Sequence, residues 1–340
     1  MRGRDGSEDD EAGLFFAMNF RSVGRSGLVL SEIGLGSYLT YGDSVDFERS
    51  KKCIHKAFEL GVNFFDTADV YAKGEAERFL GKALKDFERG RVVIGTKCYF
   101  PVSEDPNDRG LSRKHIRESV DRSLKNLQVE YLDLLQCHRF DPGVSLEETV
   151  RALSDLVQQG KVLYWGVSRW SVEQVEEAIR LADRTNGYRP VSNQVPYNLL
   201  YRAVERDLLP ACPGLGMGVL AYAPLAQGVL TGKYCEGKIP EGSRASDSRF
   251  ISRLWEMKPD SLSRADRLRS VAEQMGVTPA QLSIAWCLRQ GVVSSVIIGA
   301  TSPSQVEENL KASGLRLPEQ ALKAMEKIVE AVPAVEGRNE

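Results

Sequence analysis

The sequence predicts an α/β protein folded as a (β/α)8 TIM barrel, with an N-terminal β-hairpin before it and an extra helix at its C-terminal end. Two observations lead there. Short apolar runs of strand length alternate with amphipathic stretches of helical period along most of the chain, which is the pattern of a parallel sheet covered by helices. The units number eight over roughly 300 residues, and a closed barrel of this kind typically takes about 250. A doubly wound open sheet is the rival. It is disfavoured because neither Gly34-Leu-Gly36 nor the glycines at 214, 216 and 218 sit as a G-x-G-x-x-G turn between strand and helix, and no Walker A loop occurs.

In chain order, residues 1–17 are polar and acidic with an isolated LFFA, and are expected to form a flexible extension; residues 18–333 make the barrel and 334–340 a tail. From Phe20, FRSVGRSGLVLS has two short runs around Gly24 and Gly27 and predicts the hairpin. Strands are predicted at Glu32–Gly36, Val62–Phe65, Val92–Thr96, Tyr131–Cys137, Val162–Val167, Val191–Gln194, Gly218–Ala221 and Val293–Ile298. Between them, Ala76, Phe79, Leu80, Ala83 and Leu84 share a helical face, as do Ile116, Val120, Leu124 and Leu127. Leu146, Val150, Leu153, Leu156 and Val157 do the same, with Ser145 and Glu148 spaced for a capping box. The weakest unit is the sixth, around Arg206 to Leu209. The polar insertion from Leu230 to Arg264 is long enough for a lid.

Composition narrows the function classes. At 42% hydrophobic and 27% charged the chain reads as globular, and a net charge of -2 gives no support to a nucleic-acid or polybasic membrane contact. No apolar run approaches the roughly 18 residues of a membrane helix, and acids interrupt the N-terminus before any signal-like core. The six cysteines are scattered without a C-x-x-C pair, which suits a reducing compartment, the cytoplasm by default, and makes a metal site unexpected.

Barrel active sites lie where strand C-termini converge. Three consecutive strands end in ionisable groups, at NFFD (Asp66), VVIGTK (Lys97) and YLDLLQCH (His138), and Tyr71 follows the first in its loop. Singly, each has a plain reading: Asp66 as a helix cap, Lys97 as a solvated side chain, His138 as structural, Tyr71 as a rim residue. Together they would crowd ionisable groups at a desolvating site with no structural gain. Tyrosine's ordinary pKa of about 10 makes it a reluctant acid, and a neighbouring ammonium is expected to lower it. Asp66 would hold that ammonium, and His138 would orient a carbonyl oxygen. A site that protonates an oxygen while hydride reaches its carbon needs a cofactor to supply the hydride. A Schiff-base lyase using Lys97 is a rival reading that Tyr71 and His138 disfavour.

These residues, with FFDTADVYAKGEAERFLGKAL around them, resemble the aldo-keto reductases, NAD(P)H-dependent barrel oxidoreductases, over Met18 to Val332. GLSRKHIRESV, YWGVSRWS, APLAQGVLTGKY and IIGATSPSQVEENL resemble most the branch containing potassium-channel β subunits. The resemblance implies a catalytic tetrad of Asp66, Tyr71, Lys97 and His138. His138 stands where animal members of the branch carry asparagine, which favours a working reductase over an NADP(H)-sensing subunit.

It further implies cofactor contacts from Gly36, Ser37, Tyr38 and Asp66, from Ser168, Arg169 and Gln194 near the nicotinamide, and from Tyr222 stacked on it. Ala223, Pro224, Leu225, Gln227, Gly228, Lys233 and Arg244 would follow along the pyrophosphate. Gly299, Thr301, Gln305, Glu308 and Asn309 would hold the adenosine, where the start of a helix suits an anion. Gln305 stands where many members have an arginine for the 2′-phosphate. Channel-β relatives carry glutamine there and still resemble NADP binders, so NADP(H) is expected over NAD(H), with Lys233, Arg244 and Arg169 as cationic contacts. The expected substrate is a small-molecule carbonyl, shaped by Tyr38, Phe100, Trp170 and the loops at Pro101–Gly110, Arg139–Gly143 and Leu230–Arg264; a homo-oligomer is compatible.

His55 and His115 are expected at the surface or an interface, Trp286 in the core, and Cys98 and Cys137 as buried structural thiols.

Overall fold

A computed structural model describes residues 17–234, 238–241, 243–247 and 257–330. The expected extension, apart from Ala17, and the tail lie outside them, as does part of the insertion after Leu230. Strands β1 (Phe20–Ser22) and β2 (Val29–Ser31) form the antiparallel hairpin. Eight parallel strands then close on themselves: β3 (Ile33–Gly36), β4 (Phe64–Asp66), β5 (Val93–Cys98), β6 (Leu132–Cys137), β7 (Val162–Ser168), β8 (Ser192–Pro196), β9 (Gly218–Tyr222) and β10 (Val293–Ile298). β10 pairs with both β9 and β3, so no edge is left unpaired. Each predicted strand is present, shifted by at most two residues at either end.

The helices are α1 (Phe47–Glu59), α2 (Glu75–Leu84), α3 (Arg113–Leu127), α4 (Leu146–Gln158), α5 (Val172–Arg184), α6 (Leu208–Leu215), α7 (Pro259–Gln274), α8 (Pro279–Leu288), α9 (Pro303–Leu310) and the C-terminal α10 (Glu319–Glu330). The sixth unit is indeed the poorest, a short helix interrupted by Pro213. The capping box expected at α4 does not form. Ser145 makes no side-chain cap, and the Glu148 carboxylate, which would reach back to the Ser145 N–H, accepts the Arg113 backbone N–H of the neighbouring helix at 2.9 Å instead. Capping boxes are found at Ser171–Gln174 and Thr278–Gln281.

Strand side chains alternate between two cores. Phe65, Ile94, Leu135, Val167, Val219 and Val296 face the helices, together with Cys98 and Cys137. Phe64, Leu134, Leu220 and Ile297 fill the barrel interior with Val23, Leu28 and Leu30 of the hairpin region, which closes one end. Gly24 makes that closure possible. Its φ is +57°, and a Cβ there would lie 2.2 Å from the Gly216 carbonyl oxygen. Two residues beyond the apolar layer, at the opposite end, the same inward face carries Asp66 after Phe64 and Gln136 after Leu134.

Candidate active site

The inward period of two delivers four functional groups to the mouth. Asp66 ends β4, Lys97 is the last inward residue of β5, and His138 follows β6 by one residue, on three neighbouring strands. Lys97 Nζ donates to Asp66 Oδ2 at 2.6 Å and to the Thr67 carbonyl at 2.6 Å, with its side chain wholly buried. The second Asp66 oxygen accepts from Gln194 Nε2 at 2.8 Å, reaching across from β8. Tyr71 opens a tight turn (Tyr71–Gly74) in which Ala72 and Lys73 adopt left-handed φ values of 47° and 54°. Backbone strain of this kind is tolerated where surrounding structure enforces it. The turn swings the phenol ring back over the pair: Lys97 Nζ is 5.0 Å from its centroid and the His138 ring 5.8 Å, edge-on.

Burial governs the protonation states. It pushes the Tyr71 phenol well above its ordinary value, and the Asp66 charge acts in the same direction. The lowering expected from Lys97 is therefore not found; that ammonium is committed to Asp66 and Thr67, and the phenol keeps its proton. Burial also lowers Lys97, opposed by Asp66. His138 is driven well below its usual value by burial, then by Lys97 and Arg139, so its imidazole is neutral at pH 7. Its Nδ1 is buried without a partner. The site thus presents a protonated phenol and a neutral imidazole beside a locked ion pair.

The residues expected to hold a cofactor fall in two groups. Around the pair, Ser37 Oγ bonds Thr67 Oγ1 at 2.9 Å beyond Gly36, and the Tyr38 ring lies 4.9 Å from Tyr71. Ser168 Oγ donates to the Gln194 carbonyl at 2.9 Å; Arg169 follows in left-handed conformation, φ 59°. Tyr222 ends β9 and is followed by strained Ala223, Pro224 and Leu225, then Gln227 and Gly228 at φ 58° and 104°. Gln227 Oε1 is buried without a partner.

The second group is cationic. Lys233 lies over Gly228, where a Cβ would meet its Cε at 2.9 Å, and Arg244 lies over Gly299, at 3.3 Å. Neither cation pairs with a carboxylate among the described residues. After β10, Gln305 Oε1 accepts from the Thr301 backbone at 2.9 Å, tying the loop to the start of α9. Asn309 is buried, whereas Glu308 is exposed and its carbonyl bonds Gln281. Bare glycines under two cations fit an extended phosphate-bearing cofactor.

Residues 32–330 match the aldo/keto reductase family. The chain belongs to that family. Among relatives of this aldo/keto reductase is a putative voltage-gated potassium channel subunit beta of Schizosaccharomyces pombe, 43% identical over 325 residues, or 92% of this chain and 94% of the relative. Probable voltage-gated potassium channel subunits beta of Oryza sativa subsp. japonica and Arabidopsis thaliana are each 42% identical over 304 residues, covering 87% of this chain and 91% of theirs. No helix among the described residues of the reductase is long and apolar enough to cross a membrane.

Two buried carboxylates escaped the sequence reading. Asp69 is buried behind β5, accepting from Ser119 Oγ at 2.7 Å, and burial pushes its carboxyl up to about 7. Glu77 of α2 is fully buried and joins Thr96 (2.8 Å) to Asn126 (2.9 Å). The D-x-A-D and E-x-E spacings are polar on paper, and only docking of α2 and α3 onto β5 covers them. Arg139, beside His138, is half-buried with its guanidinium over the Phe100 ring, 5.3 Å from its centroid. His115, expected at the surface or an interface, is fully buried within the chain, with Nδ1 3.2 Å from Asp108. Trp286 is core, under the Arg289 guanidinium at 3.6 Å, and His55 is half-buried with Nε2 3.0 Å from Asp86.

Proposed function

We propose that the protein is an NADPH-dependent oxidoreductase that reduces an aldehyde or ketone to the alcohol, reversibly. The observation that carries this reading is the protonated Tyr71 phenol held between the Lys97–Asp66 pair and the neutral His138 ring. A bound nicotinamide cofactor would supply the hydride. His138 donates a hydrogen bond from its imidazole to the carbonyl oxygen and fixes it beside Tyr71. Tyr71 gives that oxygen its proton as negative charge develops, and takes it back in the oxidative direction. The phenolate left behind faces the Lys97 ammonium, which Asp66 keeps charged and in place. Lys233, Arg244 and Arg169 favour NADP(H) over NAD(H) through their excess positive charge. The five described cysteines are buried and free, in keeping with a cytoplasmic setting.

The test is oxidation of NADPH, and separately NADH, against a broad panel of aldehydes and ketones. Tyr71→Phe should abolish turnover while leaving cofactor affinity nearly intact; undiminished turnover would remove Tyr71 from the role. The names of the relatives favour a second reading, a regulatory subunit whose bound NADP(H) state is sensed by a partner with little turnover. Single-turnover hydride transfer far slower than cofactor exchange would select it.

A further inference from the structure

We infer that Arg139 forms an anion subsite on the wall of the active-site mouth, so that the preferred substrates are short aldehydes or ketones carrying a carboxylate or a phosphate. The inference rests on the reductase reading and names its substrate class.

Arg139 is placed by β6, which stands across the closed barrel from β10. Its Nη1 donates to the His138 carbonyl at 2.6 Å, which folds the side chain back toward the mouth. That is its one hydrogen bond among the described residues, and no described carboxylate pairs with it. A guanidinium has five donors in a rigid fork suited to carboxylate or phosphate. Removing such a group from water without a counter-charge is costly. Its charge reaches the reacting groups, pulling down both His138 and Tyr71. Arg169, at the end of the adjacent β7, adds a second positive charge that opposes the first. A half-buried guanidinium beside the reacting groups, with spare donors and no described carboxylate partner, makes a place for an anion.

The cofactor does not claim Arg139 under the reading above: it takes Arg169, together with Lys233 and Arg244, which lie with the loops after β9 and β10, across the mouth. The spacing indicates a short substrate. Phe100 touches both ends of the proposed contact: its ring centroid is 4.8 Å from that of His138 and 5.3 Å from the Arg139 guanidinium carbon. Both groups pack against the one Phe100 ring, so a carbonyl at His138 and an anion at Arg139 can belong to one short molecule.

The experiment compares kcat/KM with NADPH for succinic semialdehyde against its methyl ester, and for glycolaldehyde phosphate against glycolaldehyde. The native protein should prefer the anionic member of at least one pair, and the pair that shows it tells carboxylate from phosphate. Arg139→Gln should shrink that preference by roughly 10- to 100-fold, the range of a charge-assisted bond, and Arg139→Lys by less. Calorimetric binding of succinate and inorganic phosphate, which cannot be reduced, gives a readout free of turnover: at least one should bind the native protein and lose affinity in Arg139→Gln. Equal efficiency for both members of each pair, with no Arg139-dependent anion binding, overturns the subsite and leaves the reductase reading standing. Loss of NADPH affinity in Arg139→Gln with unchanged discrimination also overturns it. If no carbonyl is reduced by the native protein, the reductase reading falls, and anion binding alone decides the subsite.

Discussion

The ammonium of Lys97 lies 2.6 Å from the Asp66 carboxylate, with both side chains sealed inside the mouth of the barrel. A buried pair of this kind adds little net stability, but losing one partner strands the other charge in a medium that cannot solvate it. Asp66→Asn is thus expected to destabilise the fold by about 3–5 kcal/mol, measured by urea unfolding at pH 7. The double variant Asp66→Asn/Lys97→Met should recover part of that loss. Additive losses in the double variant would show that the two charges do not depend on each other.

Asp69 gives a pH dependence with a definite sign. Its folded carboxyl is pushed up to about 7, above the 3.8 of a free aspartate, so between those values the folded state binds the extra proton. Its contribution is fully present below the unfolded value and is lost as pH rises toward 7. Asp69→Asn keeps an oxygen to accept from Ser119 and should remove the loss. Its stability gain over the native protein should grow from about pH 4 to pH 7 and level off above that, reaching a few kcal/mol at about 1.4 kcal/mol per unit. Parallel melting-temperature profiles for the two proteins would contradict this.

His138 is held neutral by burial and by two neighbouring cations. Its depressed value means that reduction should show no His138 limb near pH 6.5. His138→Asn, which retains a donor but changes its position, should lower kcat/KM by roughly tenfold or more while leaving NADPH affinity unchanged. An acid limb near pH 6.5 that disappears in the variant would show that the imidazole works in its charged form.

Gly81 tests the helical jacket away from the chemistry. A Cβ at this position of α2 would lie 2.2 Å from the Leu127 carbonyl oxygen at the end of α3. Since that atom is backbone, the two helices must separate. Gly81→Ala should cost about 1–3 kcal/mol despite alanine's better helix propensity, and a neutral or stabilising result in thermal unfolding would show that the helices yield freely.

Much of the site was readable before the fold was known because strand geometry is local. Side chains alternate every residue, so Asp66 two places after Phe64 and His138 two places after Gln136 had to share a face once the strands existed. Alternation of strand and helix then required a parallel sheet, and parallel strands put their C-termini at one end. Local rules failed where a group had two possible partners. Ser145 and Glu148 are spaced for a capping box, yet the Arg113 N–H of another helix was the better partner for Glu148. His115 reads as a polar helix residue and is instead fully buried beside Asp108.

The sequence by itself determined the barrel and the identity of the four groups at its mouth, which follow from residue type and spacing along the chain, and its motifs carried the resemblance to the family. Only the tertiary structure decided how those groups are charged. Desolvation and Coulomb interaction depend on what surrounds an atom in three dimensions: burial keeps the proton on Tyr71 against the expected pull of Lys97, strips it from His138, raises Asp69 and leaves Arg139 facing the site without a described counter-charge.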